Sequence, residues 1–437
     1  MSKKKLAVIG SGISGLSASF FLSSKYDVQL LEKNDYLGGH TRTKEIKEEN
    51  TLFNIDTGFI VYNNKNYPDL KKFFEYLNLE TEKSNMSFSL SLKCPNIEYG
   101  GSSFQSLFAQ KKNLFSFRFY SLIYEIHKFY KFCNSLTLND HILELTLEDF
   151  LNQNKFSNNL RNFHIYPMAS SIWSSNKKEI KNFPFISFLN FFKNHGLFDL
   201  RKRPQWRFVK GGSNQYIEKV LAKKLFKYRV NFLVKKIIRK KNKIIILSDN
   251  NENIEVDKVV MATHANQSLK ILEEPSEEEK KILSQFKYTS NEAFLHSDNF
   301  FMPRNKKTWS SWNFIGNSKN DNQFSLSYWM NNLQNLKSNK NYFVTINPKS
   351  SPKKYLDHTS FEHPIYNLDT IEVQKKMYLI QGYLNTYYCG SYCGFGFHED
   401  GIQSAAYIAE ILNISLPWIR NENFENRLYY NKKPYGK

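Results

Sequence analysis

The stretch Lys5-Leu6-Ala7-Val8-Ile9-Gly10-Ser11-Gly12-Ile13-Ser14-Gly15 decides the fold of this chain. Leu6–Ile9 is a short apolar run, the composition of a strand buried on both faces in a parallel sheet. A GxGxxG turn follows, then a helical pattern through Leu22. A second strand is predicted over Asp27–Leu31, closed by Glu32. Together these make a βαβ unit with the dinucleotide-binding spacing. Gly10 permits the tight turn, Gly12 lets the backbone approach a pyrophosphate, and Gly15 lets the helix pack close to the sheet. The helix N-terminus, with Ile13 and Ser14, offers N–H groups and a positive dipole end to phosphates. Glu32 would accept hydrogen bonds from the adenosine ribose and disfavour a 2′-phosphate. Lys33 beside it joins the candidate cofactor-binding residues.

Working outward, Asn66–Leu79 has the apolar spacing of an amphipathic helix. Phe88, Leu90 and Leu92 alternate as in a strand with one buried face. Thr146-Leu147-Glu148-Asp149 has the form of a capping box. Strands are predicted over Val230–Val234, Ile244–Leu247 and Val256–Ala262, and a helix over about Gly401–Leu412. The stretches 76–204 and 291–374 are aromatic- and Lys-rich and carry no dinucleotide signature. The expected organisation is a cofactor domain (1–75, 205–290 and 375–437) interleaved with a discontinuous substrate domain (76–204 and 291–374).

The 437 residues are long enough for two or three domains and need no disulfide staples. With 23% charged and 41% hydrophobic residues the chain is globular rather than disordered, and its 37 Phe and 26 Tyr suffice to line a large apolar pocket. The four cysteines (Cys94, Cys133, Cys389, Cys393) are too scattered for a secreted scaffold and read as buried free thiols. The net charge of +20 favours anionic partners. The basic residues are spread along the chain and no nucleic-acid motif accompanies them, so nucleic acid is not an expected partner. The lysine-rich start, Ser2 to Lys5, resembles a secretory signal, but glycines and serines interrupt the apolar run behind it. No window suits a transmembrane helix, and no histidine spacing suggests a metal site. The expected location is cytoplasmic, extending to peripheral contact at the inner face of the membrane. Phe115–Phe132 is aromatic around most of a helix, with Lys and Arg interspersed. It reads either as a core helix or as one lying on an anionic membrane, with Phe117 and Phe119 entering the interface.

Leu37-Gly38-Gly39-His40-Thr41-Arg42-Thr43 resembles the second glycine motif of the FAD enzymes of the flavin amine oxidase superfamily. That resemblance implies FAD rather than NAD, held also by Gly38, Gly39, His40 and Thr41. In the superfamily an Arg follows the paired glycines; His40 stands there, and Arg42 lies two residues on. The resemblance extends to Asp56-Thr57-Gly58-Phe59 beside the flavin ring, Val234 at the adenine, and Thr263 where a strand returns to the cofactor. It also takes in Gly390, Gly401 and Ile402 at a C-terminal helix whose N-terminus faces the flavin pyrimidine. The implied fold class is α/β, a Rossmann-like FAD-binding domain of amine oxidase type with a discontinuous α+β substrate domain.

A closer likeness covers nearly the whole chain. Asp35–His40, Asp56–Leu70, Asn85–Leu90, Leu107–Leu114, Ser171–Ser174, Asn194–Leu197, Arg203–Trp206 and Gly394–Gly401 resemble the FAD-binding oxidoreductases associated with, or fused to, cyclopropane fatty-acid synthases. It implies hydride removal from an unsaturated or branched fatty-acyl substrate to flavin N5, with a fatty-acid methyltransferase as partner. Tyr288–His296 contains no Lys where amine oxidases place one near N5, and Ser391 replaces the usual acidic residue. Two alternatives stay open: an amine- or carotenoid-type flavin oxidoreductase, or a flavoprotein that supports a lipid methyltransferase without its own turnover. His398 is the candidate catalytic residue. Asp400, just before the C-terminal helix, is expected to cap it.

Overall fold

The computed structural model describes residues 3–137, 140–199, 203–316, 324–420, 424 and 426–429. Ser2 of the lysine-rich start, and residues 421–423, 425 and 430–437 of the expected cofactor domain, lie outside the described residues.

The strand Lys5–Ile9 pairs in parallel with Asp27–Leu31 on one side and Lys258–Met261 on the other. Lys227–Arg229 and Thr386–Tyr388 complete a five-stranded parallel sheet at its two edges. The continuous apolar run is explained by cover on both faces. Leu6 and Val8 join a core with the helices Ile13–Leu22, Pro68–Tyr76 and His398–Ile411. Ala7 and Ile9 join another with the antiparallel strands Val234–Lys240, Lys243–Ser248 and Asn253–Val256. A seven-stranded sheet runs Tyr355–Ile365, Lys287–His296, Phe343–Ile346, Phe324–Trp329, Trp312–Gly316, Phe88–Leu92, Ile97–Gly100. All its pairings are antiparallel except that of Phe88–Leu92 with Trp312–Gly316. Its core includes Phe119 and Leu122 of the helix Phe117–Ser135. A separate aromatic core gathers Phe129, Phe150, Phe185, Phe188 and Phe192.

Several local expectations change in the fold. Val230–Val234 is not a strand. Asn231 takes a left-handed turn (φ 52°), and the chain crosses there from the parallel sheet to the antiparallel one. Val256–Ala262 divides at Asp257. Its first residue ends an antiparallel strand and Lys258–Met261 starts a parallel one, while Asp257 exchanges hydrogen bonds with Lys5. The Asn66–Leu79 helix is shorter, Pro68–Tyr76, closed by left-handed Asn78. Phe88–Leu92 is buried on both faces rather than one, because Ser89 and Ser91 donate to Asn313 Oδ1 (2.7 Å) and Glu98 Oε1 (2.6 Å). The Thr146 capping box forms as expected. Cys133, Cys389 and Cys393 are buried cysteines outside any disulfide, whereas Cys94 is half-exposed. Among the described residues no helix is long and apolar enough to cross a membrane.

Candidate cofactor and substrate site

The two glycine motifs, 27 residues apart in the chain, touch in the fold. Gly10 lies at φ 94° and donates its N–H to Leu31 O at 2.8 Å. Gly38 donates to the Ser11 carbonyl and hydroxyl, both at 3.1 Å. A Cβ on Gly39 would sit 3.1 Å from Gly12 Cα. At Gly15 a Cβ would fall 1.8 Å from Gly10 O, so that glycine is required by packing alone. Gly12 differs: its φ is −61°, and a Cβ there meets no protein atom within 4 Å. No side chain caps the helix that starts beside it. An open cradle at an uncapped helix N-terminus fits a pyrophosphate group.

Glu32 is buried at the rim of this cradle. It accepts from Ser11 N (2.9 Å), Ser11 Oγ (2.7 Å) and Asn34 N (3.0 Å). Phe232 N donates to Glu32 O and Asn231 N to Asn34 O, both at 2.8 Å. Those bonds bring Val234 close to Glu32, while Lys33 is exposed. Ser11, which the motif leaves as a variable position, therefore ties both glycine turns and Glu32 together.

The C-terminal helix packs alongside the first, their starts together and their far ends joined where Lys25 Nζ donates to Leu412 O at 2.8 Å. A Cβ on Gly401 would fall 2.7 Å from Ile13 Cγ2 and 2.8 Å from Ser14 Oγ, and Ile402 is fully buried. Gly390 donates to Ser404 Oγ at 3.0 Å, and Thr263 Oγ1 lies 2.8 Å from Ser268 Oγ. His398, Glu399 and Asp400 do not precede the helix; they form its first turn. Asp400 Oδ2 accepts from Phe397 N at 2.8 Å, the expected cap. Glu399 caps a different helix, accepting from Asp69 N (3.0 Å) and Leu70 N (2.9 Å).

Gly58 passes His40 so closely that a Cβ would fall 1.9 Å from His40 O, and Phe59 donates to that oxygen at 2.9 Å. Phe59 stacks on His398 at 3.7 Å. His398 Nε2 lies 2.9 Å from Thr41 Oγ1, which in turn meets Tyr216 Oη at 2.6 Å. His40 stacks on Phe361 (4.8 Å) and neighbours His363 (5.2 Å) and His264 (6.2 Å). Arg42 is held by Asp357 in a bidentate ion pair, Nη2 to Oδ1 at 3.0 Å. The fold thus places the histidine cluster and Phe361 opposite the second glycine motif. Local motifs could not foresee this, because His363 and Phe361 come from a strand some 320 residues downstream. His195 packs between Phe191 and Trp206, with Nδ1 2.9 Å from Phe191 O.

Burial keeps His398, His363 and His40 neutral. It depresses His398 to about 3 and His363 to about 4, and holds His40 well below its usual range with help from His363, His264 and His398. Burial likewise depresses His164 to about 3 and His296 to about 4. It pushes Asp56 and Glu399 up to about 7. Between these values and about 6.5 the unfolded histidines bind protons that the native ones refuse, so acidification favours unfolding. Asp56 and Glu399 act in the opposite sense between about 4 and 7, but they are fewer. The expected result is a urea midpoint that falls steadily as pH drops from 6.5 to 4. A flat or rising midpoint over that range would contradict the neutral cluster.

A family model described as flavin containing amine oxidoreductase matches residues 13–334. The chain belongs to this family. It is an FAD-dependent oxidoreductase of the amine oxidase superfamily, with the α/β fold expected. Among solved structures it is similar to cyclohexylamine oxidase from Brevibacterium oxydans IH-35A, with 13% identity, TM-score 0.65, and 94% of this chain and 100% of that one covered. A mutant of putrescine oxidase superposes with 14% identity and TM-score 0.66, covering 94% and 99%. A CLA-producing fatty acid isomerase from P. acnes superposes with 13% identity and TM-score 0.65, covering 93% and 98%. No curated protein matches the chain.

Proposed function

We propose that this flavoenzyme oxidises an unsaturated or branched fatty-acyl substrate and creates a carbon–carbon double bond. The carrying observation is the apolar junction beside the second glycine motif. Phe59, Met86 and Phe397 are partly buried against the core of the parallel sheet. Met86 also packs on the core of the seven-stranded sheet, and Phe397 on the aromatic helical core. Such a surface suits an alkyl chain better than a charged amine. The fatty acid isomerase among the similar structures supports the reading, since the same fold there acts on an acyl chain. FAD, when bound, would accept the hydride leaving one substrate carbon, and the proton of the adjacent carbon would pass to water.

In this proposal Gly10, Gly12, Ile13, Ser14, Gly15, Glu32, Lys33 and Val234 hold the adenosine diphosphate part. Gly38, Gly39, His40, Thr41, Gly58, Thr263, Gly390, Gly401 and Ile402 shape the rest of the FAD site. His398, neutral and bonded to Thr41, serves as the catalytic hydrogen-bonding group. The domain division follows the same scheme, with Lys287–His296 as the strand at which the chain passes into the substrate domain. Mixing the oxidised holoenzyme anaerobically with unsaturated and cyclopropane fatty acids is expected to bleach the flavin absorbance within one turnover. Bleaching by aliphatic amines alone would replace the acyl reading with the amine one. A fatty-acid methyltransferase is the proposed partner, working on the same acyl chains.

Contact with an anionic membrane at the cytoplasmic face is part of the proposal. Phe115 and Phe117 are 91% and 88% exposed, with Phe104 at 70%, beside exposed Lys111, Lys112 and Arg118. Phe119, expected at the same interface, is 3% exposed and packs on Tyr99 and Phe108. One face of that helix is core, as the first reading has it, and the other is exposed, on the side where the membrane reading would put the bilayer. Each basic group near an anionic surface contributes roughly 1 kcal/mol, weakened by salt. Cosedimentation with anionic vesicles is expected, with little on neutral ones, and it should fall on replacing Phe115 and Phe117 by Ser. Equal, negligible binding to both vesicle types at low salt would remove the membrane contact.

A further inference from the structure

A cavity of about 280 Å³ opens in the expected substrate domain, lined by no residue of the glycine cradle. Tyr99, Tyr130, His164 and Arg203 form its polar wall; Met86, Phe88 and Met168 form its apolar wall. His164 sits on a π-helical turn, Arg161–Ile165, an irregularity common at functional sites. The Tyr99 hydroxyl donates to Phe163 O at 2.8 Å, so its oxygen accepts from His164 Nδ1 at 3.0 Å. His164 Nε2 is then the bare nitrogen and accepts the Tyr130 hydroxyl at 2.7 Å. All three protons of this chain are committed within it, and the imidazole is neutral. Burial also keeps both tyrosines protonated, raising each phenol above its ordinary range.

That leaves Arg203 as the formal charge at the cavity. It is exposed, with Nε donating to Asp199 O at 2.9 Å. Among the described residues lining the cavity none is acidic. A cationic ligand would meet a like charge and no carboxylate, whereas an anionic head would meet a guanidinium suited to bidentate pairing. The apolar wall leads inward: Met86 reaches the core that Phe59 and Phe397 also join, and Phe88 bridges the two substrate-side cores.

We infer that this cavity binds a single-chain anionic amphiphile, its head at Arg203 and its chain running past Phe88, Met168 and Met86 toward the cofactor side. The inference rests on the acyl-substrate reading and names the feature that selects the substrate's charge.

The test is calorimetric titration of the FAD-loaded protein with laurate, dodecyl phosphate and dodecylamine, below micelle formation. Binding heat registers whether or not the flavin is reduced. Laurate or dodecyl phosphate is expected to bind at least about tenfold more tightly than dodecylamine. Arg203→Gln should weaken the anion by about ten- to a hundredfold, with Arg203→Lys recovering part, while FAD content and thermal midpoint stay unchanged. Preference for laurate marks a free fatty acid as the source, and preference for dodecyl phosphate marks a lipid headgroup; either upholds the anion site. Equal binding of dodecylamine, or unchanged anion affinity in Arg203→Gln, overturns it. Arg203-dependent laurate binding without flavin bleaching by any acyl chain would uphold the site and remove acyl oxidation.

Discussion

Gly12→Val is expected to fold and to lose FAD. The backbone at Gly12 has an ordinary φ of −61°, and a Cβ there touches no protein atom within 4 Å. The Cβ of the new side chain therefore meets no obstacle in the protein. What it would occupy is the space between the two glycine motifs, at the uncapped end of the first helix, where a pyrophosphate must approach the backbone. Steric exclusion and loss of the N-terminal hydrogen bonds should together weaken FAD at least about a hundredfold, or roughly 2.7 kcal/mol. The measurement is flavin absorbance per protein after desalting, with circular dichroism to confirm the fold. Gly15→Val is the contrast: its Cβ would overlap Gly10 O at 1.8 Å, so it should damage the fold itself. Full flavin content in Gly12→Val would place the pyrophosphate elsewhere.

Glu279→Ala should produce the largest loss of stability. Arg239 and Glu279 form a bidentate pair, 2.6 and 2.9 Å, with side chains 3% and 0% exposed. Tyr388 donates to the same carboxylate at 2.5 Å. The pair joins the antiparallel strand Val234–Lys240, the helix Glu277–Leu283 and the edge strand Thr386–Tyr388 of the parallel sheet. Removing the acid leaves a buried guanidinium and a buried phenol without their partner, a loss of about 3–5 kcal/mol. Replacing both ions together, as Arg239→Met with Glu279→Leu, should cost far less, because no charge is then stranded in the core. Urea denaturation of the two variants measures the difference; equal losses would show that packing rather than charge pairing governs the site.

How much was legible before folding depends on the range of the interaction. The first strand, glycine turn, helix and second strand were readable because each is fixed within a few residues: β-composition, a left-handed glycine, an apolar helix. The Asp400 cap and the Thr146 box are also local. Val230–Val234 looked like a strand on composition, yet the parallel sheet takes up Lys227–Arg229 through pairing with Gln29–Leu31, and Asn231 then turns the chain. Ser11 was a variable letter in a motif until Gly38 and Glu32, brought in from further along the chain, bonded to it.

The sequence by itself therefore determined a dinucleotide cofactor, through the first glycine motif and an acidic strand end whose spacing follows from backbone geometry and phosphate chemistry, and the second glycine motif pointed to FAD by resemblance. Tertiary structure decided what surrounds that cofactor. Arg42 looked available for phosphate, but Asp357 neutralises it across 315 positions. His40 stood in the sequence only as the residue after the paired glycines, but Phe361, His363 and His264 surround it in the fold. Phe119 looked like a partner of Phe117, but the helix turns it inward onto Tyr99. Charge state and exposure are set by neighbours in space, and burial, which shifts both, exists only once distant segments have packed.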